Sequence, residues 1–309
     1  MSDHQNEPRE YDAVRAKITP NPVVESFPST TLRVQRPPTQ TFQFKVITVN
    51  NRGGIIKTKQ RQAEYLSENL GRGVSLEMVC IPGGTFMMGS PDNEQGRRDN
   101  ESPQHRVTVP TFFAGKYPIT QAQWKAVMGN NPSNFKGEKR PVENVSWDEA
   151  VEFCNKLSQT TRKTYRLRSE AEWEYACRAG TTTPFYFGNT ITPDLANYNG
   201  NDPYGAAPKG LYRQQTTDVG SFPPNSFGLY DMHGNVWEWC SDKWHDNYSG
   251  APTDGSSWET GKSEYRLWRG GSWNLNPWFC RSAVRYWDRS ANRFNLIGFR
   301  VACVAARTP

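Results

Sequence analysis

The stretch that decides how the fold is interpreted is residues 268–303, WRGGSWNLNPWFCRSAVRYWDRSANRFNLIGFRVAC. Both ends of this stretch are typical of a protein core. At the front, Gly270 and Gly271 place residues without a Cβ where the backbone turns or approaches a neighbour closely. At the back, residues 296–301 alternate apolar and polar side chains like a strand with one buried face. The residues between the two ends follow neither the period of a strand nor that of a helix, so we predict a surface there and not a core.

Outward from this stretch, the chain has the composition of a globular protein with a substantial core. It has 309 residues, of which 35% are hydrophobic and 13% aromatic. Capping boxes at Ser146–Glu149 and Ser169–Glu172 predict the starts of two helices, and a weaker third helix is predicted over Gln121–Met128. The segment 181–263 is rich in Gly, Pro, Asn and Trp. We therefore predict an α+β fold with two to three helices, short strands and much irregular structure.

Three segments are expected along the chain. Residues 1–40, rich in Pro, Thr and Gln, are predicted to be a flexible leader. Residues 41–73 are predicted to be a small appended strand or hairpin, because Phe42–Val49 alternates and a turn-forming segment follows it. Residues 74–309 are predicted to form the main domain, with a variable region at about 268–303.

The net charge of +6 is concentrated near the start of the chain. Ten Lys or Arg and five Asp or Glu fall in residues 1–62, and the rest of the chain carries a surplus of one positive charge. The basic segment lacks a dense Lys/Arg run, so we expect no nucleic-acid partner. The apolar runs are too short to span a bilayer, so no membrane partner is expected either. Six well-separated cysteines and a polar start without a secretory signal predict a reduced, cytoplasmic protein.

Seven motifs occur in a fixed order: IPGGTFMMGS, YPITQAQWKAVMG, RPVENVSWDEAVEFCNKLS, YRLRSEAEWEYACRAG, FGLYDMHGNVWEWCSD, RGGSW and GFRVA. Together they resemble the formylglycine-generating enzyme (sulfatase-modifying factor) family over roughly residues 74–304. The resemblance implies a C-type-lectin-like fold of the formylglycine-generating-enzyme type. One departure is Arg168, where the family commonly has Pro. Because that Pro precedes the capping Ser169, we expect its loss to cost little.

The enzymes of this family hold copper with two cysteine thiolates in the segment after RGGS, a ligand set that suits Cu(I). In this chain the first cysteine position falls on Leu275 and the second on Cys280. Because leucine cannot bind a metal, we expect no copper and favour a protein that is not an enzyme. An oxidase, or a degenerate enzyme, that acts on a protein or small-molecule thiol remains the alternative.

A second enzymatic branch of the fold, the sulfoxide synthases of ergothioneine biosynthesis, uses iron held by three histidines. The four histidines of this chain are widely separated in sequence and do not suggest a triad: His4, His105, His233 and His245. We therefore expect no iron.

A third branch fits the stretch 268–303, which resembles the variable region of the variable proteins of diversity-generating retroelements. In those systems an error-prone copy changes codons at adenines, while the intervening frame stays fixed. The positions implied to vary, and so to contact the ligand, are Asn274, Leu275, Asn276, Trp278, Phe279, Val284, Tyr286, Trp287, Asp288, Ser290, Phe294, Asn295 and Leu296. Aromatic residues mixed with Asn and Ser also have the composition of a binding surface. The sequence thus predicts a non-catalytic, ligand-binding variable protein.

The ligand, macromolecular or small, is expected to bind through residues 273–296. For this surface we predict an exposed aromatic patch of several hundred Å² around Trp278, Phe279, Tyr286 and Trp287.

The resemblance also implies a structural calcium ion at the GNVWEW segment. Its ligands would come from His233, Gly234, Val236 and Glu238, and hard oxygen ligands suit Ca²⁺. An alternative for Glu238 is a buried carboxylate paired with an arginine or with backbone amides. The sequence leaves both possibilities open.

Overall fold

A computed structural model of the protein describes residues 39–304. Its strands are β1 (Gln40–Val49), β2 (Ile55–Asn69), β3 (Ser75–Ile81), β4 (Gly84–Met88), β5 (His105–Val109), β6 (Phe112–Gly115), β7 (Tyr165–Leu167), β8 (Trp237–Lys243), β9 (Tyr265–Arg269), β10 (Arg285–Arg289), β11 (Ile297–Phe299) and β12 (Val301–Cys303). Its helices are α1 (Gln121–Met128), α2 (Trp147–Thr161) and α3 (Glu170–Arg178). Long irregular segments connect these elements. Because the chain contains both helices and many short strands, the predicted α+β class is confirmed.

Each of the three helices begins at a capping box, as the sequence predicts for α2 and α3. Ser146 accepts a hydrogen bond from the backbone N–H of Glu149, and Ser169 accepts one from that of Glu172. In both cases the glutamate carboxylate accepts a hydrogen bond from the backbone N–H of the serine. These reciprocal bonds satisfy N–H groups that the first turn of a helix leaves unpaired.

The strands form three sheets. A six-stranded sheet has the order β1-β2-β3-β6-β12-β7, a four-stranded sheet has the order β10-β9-β8-β11, and β4 pairs with β5. The alternating segment 296–301, predicted as one strand, is divided between β11 in the four-stranded sheet and β12 in the six-stranded sheet. Arg300 lies between these strands and is buried, so this segment is buried on both faces and ties the two sheets together.

The predicted hairpin forms, and it belongs to the main sheet. β1 pairs with β2 from Gln40↔Tyr65 to Val49↔Ile55, and β2 then pairs with β3 from Tyr65↔Val79 to Asn69↔Ser75. Residues 41–73 are therefore an extension of the six-stranded sheet and not a separate unit. The predicted leader lies outside the described residues except for residues 39 and 40, and Gln40 already starts β1.

The core of the described residues consists of two clusters of buried side chains. One includes Trp173, Phe185 and Leu267, and the other includes Trp239 and Phe299. Within residues 39–304, no helix is long and apolar enough to cross a membrane. β10 is an edge strand of the four-stranded sheet, and this position exposes the centre of the stretch 268–303.

Candidate ligand-binding surface

A turn of two glycines starts the candidate surface directly after β9. Both residues have positive backbone φ angles, +102° at Gly270 and +76° at Gly271, which residues with a Cβ rarely adopt. A Cβ at Gly270 would lie 2.9 Å from the ring of Trp173, and one at Gly271 would lie 2.6 Å from the Sγ of Cys280. The close packing explains why the motif needs two glycines.

Four arginines of the stretch, spaced along it, form a buried frame: Arg269, Arg281, Arg285 and Arg300. All four are 0% exposed, and each guanidinium pairs with a buried glutamate. For example, Arg285 Nε lies 2.6 Å from a carboxylate oxygen of Glu170, and Arg281 Nη2 lies 2.7 Å from one of Glu101. Buried charges are stable only when paired in this way. The frame therefore fixes the backbone of the stretch at four points.

Twelve of the thirteen predicted ligand-binding positions keep part of the residue accessible to solvent. They are Asn274, Leu275, Asn276, Trp278, Phe279, Tyr286, Trp287, Asp288, Ser290, Phe294, Asn295 and Leu296. Three large apolar side chains among them are well exposed: Tyr286 at 42%, Phe294 at 40% and Trp287 at 38%. Buried frame residues and accessible side chains thus alternate along one stretch of chain.

Val284 is the exception, and its assignment as a ligand-contacting residue is wrong. Its side chain is only 1% exposed and belongs to the core cluster that contains Trp239 and Phe299. Val284 directly precedes Arg285, the first residue of β10, which is also buried. It belongs with the frame.

The accessible side chains enclose an apolar groove of about 280 Å³. Its lining is Trp237, Trp268, Leu275, Phe279, Tyr286, Asp288, Phe294 and Leu296. Tyr286 on β10 lies directly opposite Trp268 on β9, with 6.0 Å between the ring centroids. Cross-strand aromatic pairs of this kind stabilise a sheet face while leaving it flat and apolar. The groove can therefore accept an apolar or aromatic group of a ligand.

The predicted aromatic patch is present only in part. Phe279, Tyr286 and Trp287 form a row, with 6.3 Å and 6.5 Å between successive ring centroids, and Tyr265 continues the row 4.3 Å from Trp287. Trp278 instead packs against Tyr204, with 6.1 Å between the ring centroids. Trp278 and Phe279 lie in the 3-10 turn Pro277–Cys280, where neighbouring side chains point about 120° apart. None of the four predicted side chains is fully buried.

Trp237, from the distant strand β8, lines the groove, and so does Trp268 at the start of the stretch 268–303. Neither is among the ligand-binding positions that the sequence predicts. The guanidinium carbon of Arg98 lies 4.6 Å from the ring centroid of Phe279 and 5.9 Å from that of Tyr286. Both contacts are within the range of a cation–π interaction. Periodicity gives no signal for such long-range neighbours.

The residues present do not fit the copper site of the family. Leu275 lies at the first of the two ligand positions and lines the groove with an apolar side chain. Cys280, at the second position, is 0% exposed, and burial raises the pKa of its thiol well above its usual value. Cu(I) needs soft ligands, preferably a pair of thiolates, and only one of the two family positions carries a thiol in this chain. No redox step through copper is derived for this chain.

The contacts of Glu238 do not fit a calcium ion either. Its carboxylate receives hydrogen bonds from Arg168, from Arg300 at 2.9 Å and from the indole N–H of Trp173 at 3.0 Å. Although burial raises the pKa of Glu238, Arg300 and Arg168 hold it below its usual value. Two cationic side chains already neutralise the carboxylate, so a divalent cation would add uncompensated positive charge. Of the two possibilities that the sequence left open, the arginine pair is the one that these contacts support.

His233 is also fully engaged in the interior. Its Nδ1 lies 2.7 Å from the carbonyl oxygen of Cys280, and its Nε2 accepts a hydrogen bond from the backbone N–H of Tyr186 at 3.0 Å. Burial lowers the pKa of His233 to about 3, so the ring is neutral. Within residues 39–304, no group of three or more His, Cys, Asp or Glu side chains is arranged to hold a metal ion.

The chain is similar in sequence to several known proteins. Residues 66–305 match the sulfatase-modifying factor enzyme 1-like domain. The chaperone protein LppX of Paenibacillus barcinonensis is 34% identical over 246 residues, which cover 65% of this chain and 79% of the relative. The formylglycine-generating enzyme of Mus musculus is 29% identical over 293 residues, which cover 75% of this chain and 76% of the enzyme.

Two solved structures superpose well on the fold. PvdO from Pseudomonas aeruginosa has a TM-score of 0.69 and 36% identity, covering 77% of this chain and 98% of PvdO. Variable protein 1 of Treponema denticola has a TM-score of 0.68 and 28% identity, covering 78% of this chain and 99% of that protein. Because the domain match extends over most of the chain, this protein belongs to the sulfatase-modifying factor enzyme 1-like family, the formylglycine-generating-enzyme family that its motifs predict.

Proposed function

We propose that this chain is a non-catalytic, ligand-binding variable protein, of the kind diversified by a retroelement, and that its ligand contacts residues 273–296. One observation carries the proposal. In the stretch 269–300 the residues that resemble a fixed frame are almost all buried, whereas twelve of the thirteen residues that resemble varied positions are accessible. Such a division allows the surface to change without changing the fold.

The chemistry of the accessible residues supports binding. Tyr286, Phe279 and Trp287 offer large contact areas and have few rotatable bonds to restrict, whereas Asn274 and Asn276 offer adaptable hydrogen bonds. The groove gives one aromatic or aliphatic group of the ligand a place to be desolvated. The similarity in fold and sequence to variable protein 1 of Treponema denticola adds weight to the proposal.

Two displayed libraries of the full chain would test the division. The first randomises the twelve accessible positions. The second, a matched control, randomises twelve frame positions: Arg269, Gly270, Gly271, Ser272, Pro277, Cys280, Arg281, Ser282, Ala283, Arg285, Gly298 and Phe299. Protease resistance reports folding, and selection against an arbitrary protein target reports binding.

We expect most members of the first library to fold and some to bind the target, while most members of the second unfold. If the first library folds no more often than the second, the proposal fails. Genome sequence gives an independent readout, because retroelement diversification requires an adenine-rich near-copy of the segment encoding 268–303 beside a reverse-transcriptase gene.

The alternative function is an oxidase that acts on a protein or small-molecule thiol. Leu275 at the first copper position and the buried thiol of Cys280 speak against it. The test is oxygen consumption by the copper-treated protein on a cysteine-containing sulfatase-type peptide. We expect no turnover above that of a Cys280→Ser variant, and copper-dependent turnover above that control would overturn the non-catalytic assignment.

A further inference from the structure

The hairpin of β1 and β2 concentrates positive charge that the proposed binding surface does not use. Residues 40–63 contain five cationic side chains and no Asp or Glu: Lys45, Arg52, Lys57, Lys59 and Arg61. All five residues are exposed. Among the residues that the structure describes, none of the five forms an ion pair, although sixteen ion pairs are present elsewhere. The charge is thus available to a partner.

The tip of the same hairpin exposes two adjacent aliphatic side chains. Ile55 is 60% exposed and Ile56 is 65% exposed, directly after the turn at residues 50–54. Lys57 and Lys59 lie opposite Thr48 and Val46 and therefore point to the same side of the ribbon. The register shift between Thr48 and Val49 puts Ile55, which lies opposite Val49, on the other side. Paired isoleucines in water are costly for a folded domain, and cations beside them keep the tip soluble. A tip that combines exposed aliphatic side chains with neighbouring cations suits an interface that offers both hydrocarbon and negative charge.

The turn at the tip holds the isoleucines in a defined position. The side chain of Asn50 accepts hydrogen bonds from the backbone N–H groups of Arg52 and Gly54, at 2.9 Å and 3.0 Å. The backbone N–H of Val49 donates to the carbonyl oxygen of Phe187 at 2.9 Å, which anchors the end of β1 to the domain. The turn is therefore preformed and held against the domain. Because the family match starts at residue 66, β1 and most of β2 precede the matched region.

We infer that the β1–β2 tip is a peripheral attachment surface for a membrane that carries anionic lipids. Ile55 and Ile56 would enter the boundary between headgroups and acyl chains, and Arg52, Lys57 and Lys59 would contact the anionic headgroups. Shallow apolar insertion combined with electrostatic attraction is how peripheral segments bind such surfaces. This inference revises the sequence-based expectation of no membrane partner, which considered only apolar runs long enough to span a bilayer.

A lipid surface fits these residues better than a nucleic acid does. Proteins that bind single strands stack bases on aromatic side chains, and the exposed tip offers aliphatic side chains instead. Some proteins that bind a duplex insert an isoleucine between base steps, but the insertion has to unstack the bases, whereas a lipid boundary imposes no such cost. Aliphatic side chains gain most from hydrocarbon.

The test is sedimentation of the full chain with two kinds of vesicle, one of phosphatidylcholine alone and one of equal parts phosphatidylcholine and phosphatidylserine. We expect binding to the mixed vesicles only, and weaker binding as the salt concentration rises. The double variant Lys57→Glu/Lys59→Glu should bind at least about twenty-fold more weakly, because each cation near the surface contributes roughly five-fold. The double variant Ile55→Ser/Ile56→Ser should lose roughly tenfold for each side chain that inserts.

A matched control changes an exposed cation and an exposed aliphatic residue elsewhere, in the variant Lys209→Glu/Leu211→Ser. Leu211 is 61% exposed, so the control resembles the tip variants in exposure and chemistry. We expect the control to bind like the unaltered chain. No sedimentation with the mixed vesicles, equal binding to both kinds of vesicle, or equal losses in the control and the tip variants would overturn the inference. Fluorescence anisotropy with single-stranded and duplex DNA completes the test, since tighter binding to either than to vesicles would also overturn it.

Discussion

Arg168 and Glu238 pair through a guanidinium–carboxylate contact in the interior, where each side chain is only 1% exposed. Arg168 stands where the family commonly has a proline. Its guanidinium donates hydrogen bonds to the sulfur of Met232 and to the carboxylate of Glu238, and these contacts stabilise it in the interior. Arg300 approaches the same carboxylate at 2.9 Å. An arginine that is unusual for the family therefore supplies positive charge at the segment where the family implies a calcium ion.

The first prediction is that this protein is insensitive to calcium removal. A metal bound only by the folded state would raise the unfolding temperature, and the increase would grow with the logarithm of the free metal concentration once that exceeds the dissociation constant. Because two arginines already neutralise Glu238, we expect the same unfolding temperature with calcium and with excess chelator, measured by differential scanning calorimetry. A chelator-induced decrease would contradict this account of Glu238.

The second prediction concerns Arg168 itself. The sequence suggests that the loss of the family's proline at this position costs little. Putting the proline back should nevertheless be costly, because Arg168→Pro removes one partner of a buried ion pair, a change that typically costs about 3–5 kcal/mol. We expect a loss at the lower end of that range because Arg300 remains beside Glu238, measured as the free energy of unfolding in urea. The control is Arg289→Ala on the exposed edge strand β10. This variant should change the free energy of unfolding by less than about 0.5 kcal/mol.

Much of the fold could be predicted from the sequence, because its signals are local. Capping boxes mark the starts of α2 and α3, and the alternation of residues 42–49 marks β1. The burial of Arg269, Arg281, Arg285 and Arg300 could not be predicted, because it depends on glutamates up to 187 residues away in the chain. A charged residue at an alternating position of a strand is predicted to be exposed, unless the buried residue that pairs with it is known. The same limit hid Arg98 and Trp237 from the candidate surface.

The third prediction separates the frame from the variable positions with one substitution made at two sites. Tyr286→Asn exchanges a side chain that is 42% exposed, whereas Val284→Asn places an amide where the native side chain is 1% exposed. We expect Tyr286→Asn to change the free energy of unfolding by less than about 1 kcal/mol. Val284→Asn should cost at least about 2 kcal/mol, because a buried amide without partners is strongly unfavourable. Equal effects in urea unfolding would return Val284 to the variable positions.

The fourth prediction is a pH dependence of stability that comes from Glu143. Its side chain is 0% exposed, Oε1 accepts a hydrogen bond from the backbone N–H of Phe135 at 2.7 Å, and Oε2 has no hydrogen-bond partner. Burial raises the pKa of Glu143 from 4.5 to about 7, despite that backbone bond. The folded state therefore holds a proton at this carboxyl that the unfolded state releases.

The sign of the effect follows from that difference in pKa. The contribution of Glu143 to stability is fully present below pH 4.5 and is lost as the pH rises through about 7. Between these values stability should fall by on the order of 1 kcal/mol per pH unit for this group alone. Glu143→Gln, which mimics the protonated form, should flatten the decline measured by urea unfolding, whereas Glu138→Gln at a neighbouring exposed position should leave it unchanged. An undiminished decline in Glu143→Gln would show that other buried carboxyls, such as Asp242 with its pKa raised to about 7 by burial, account for it.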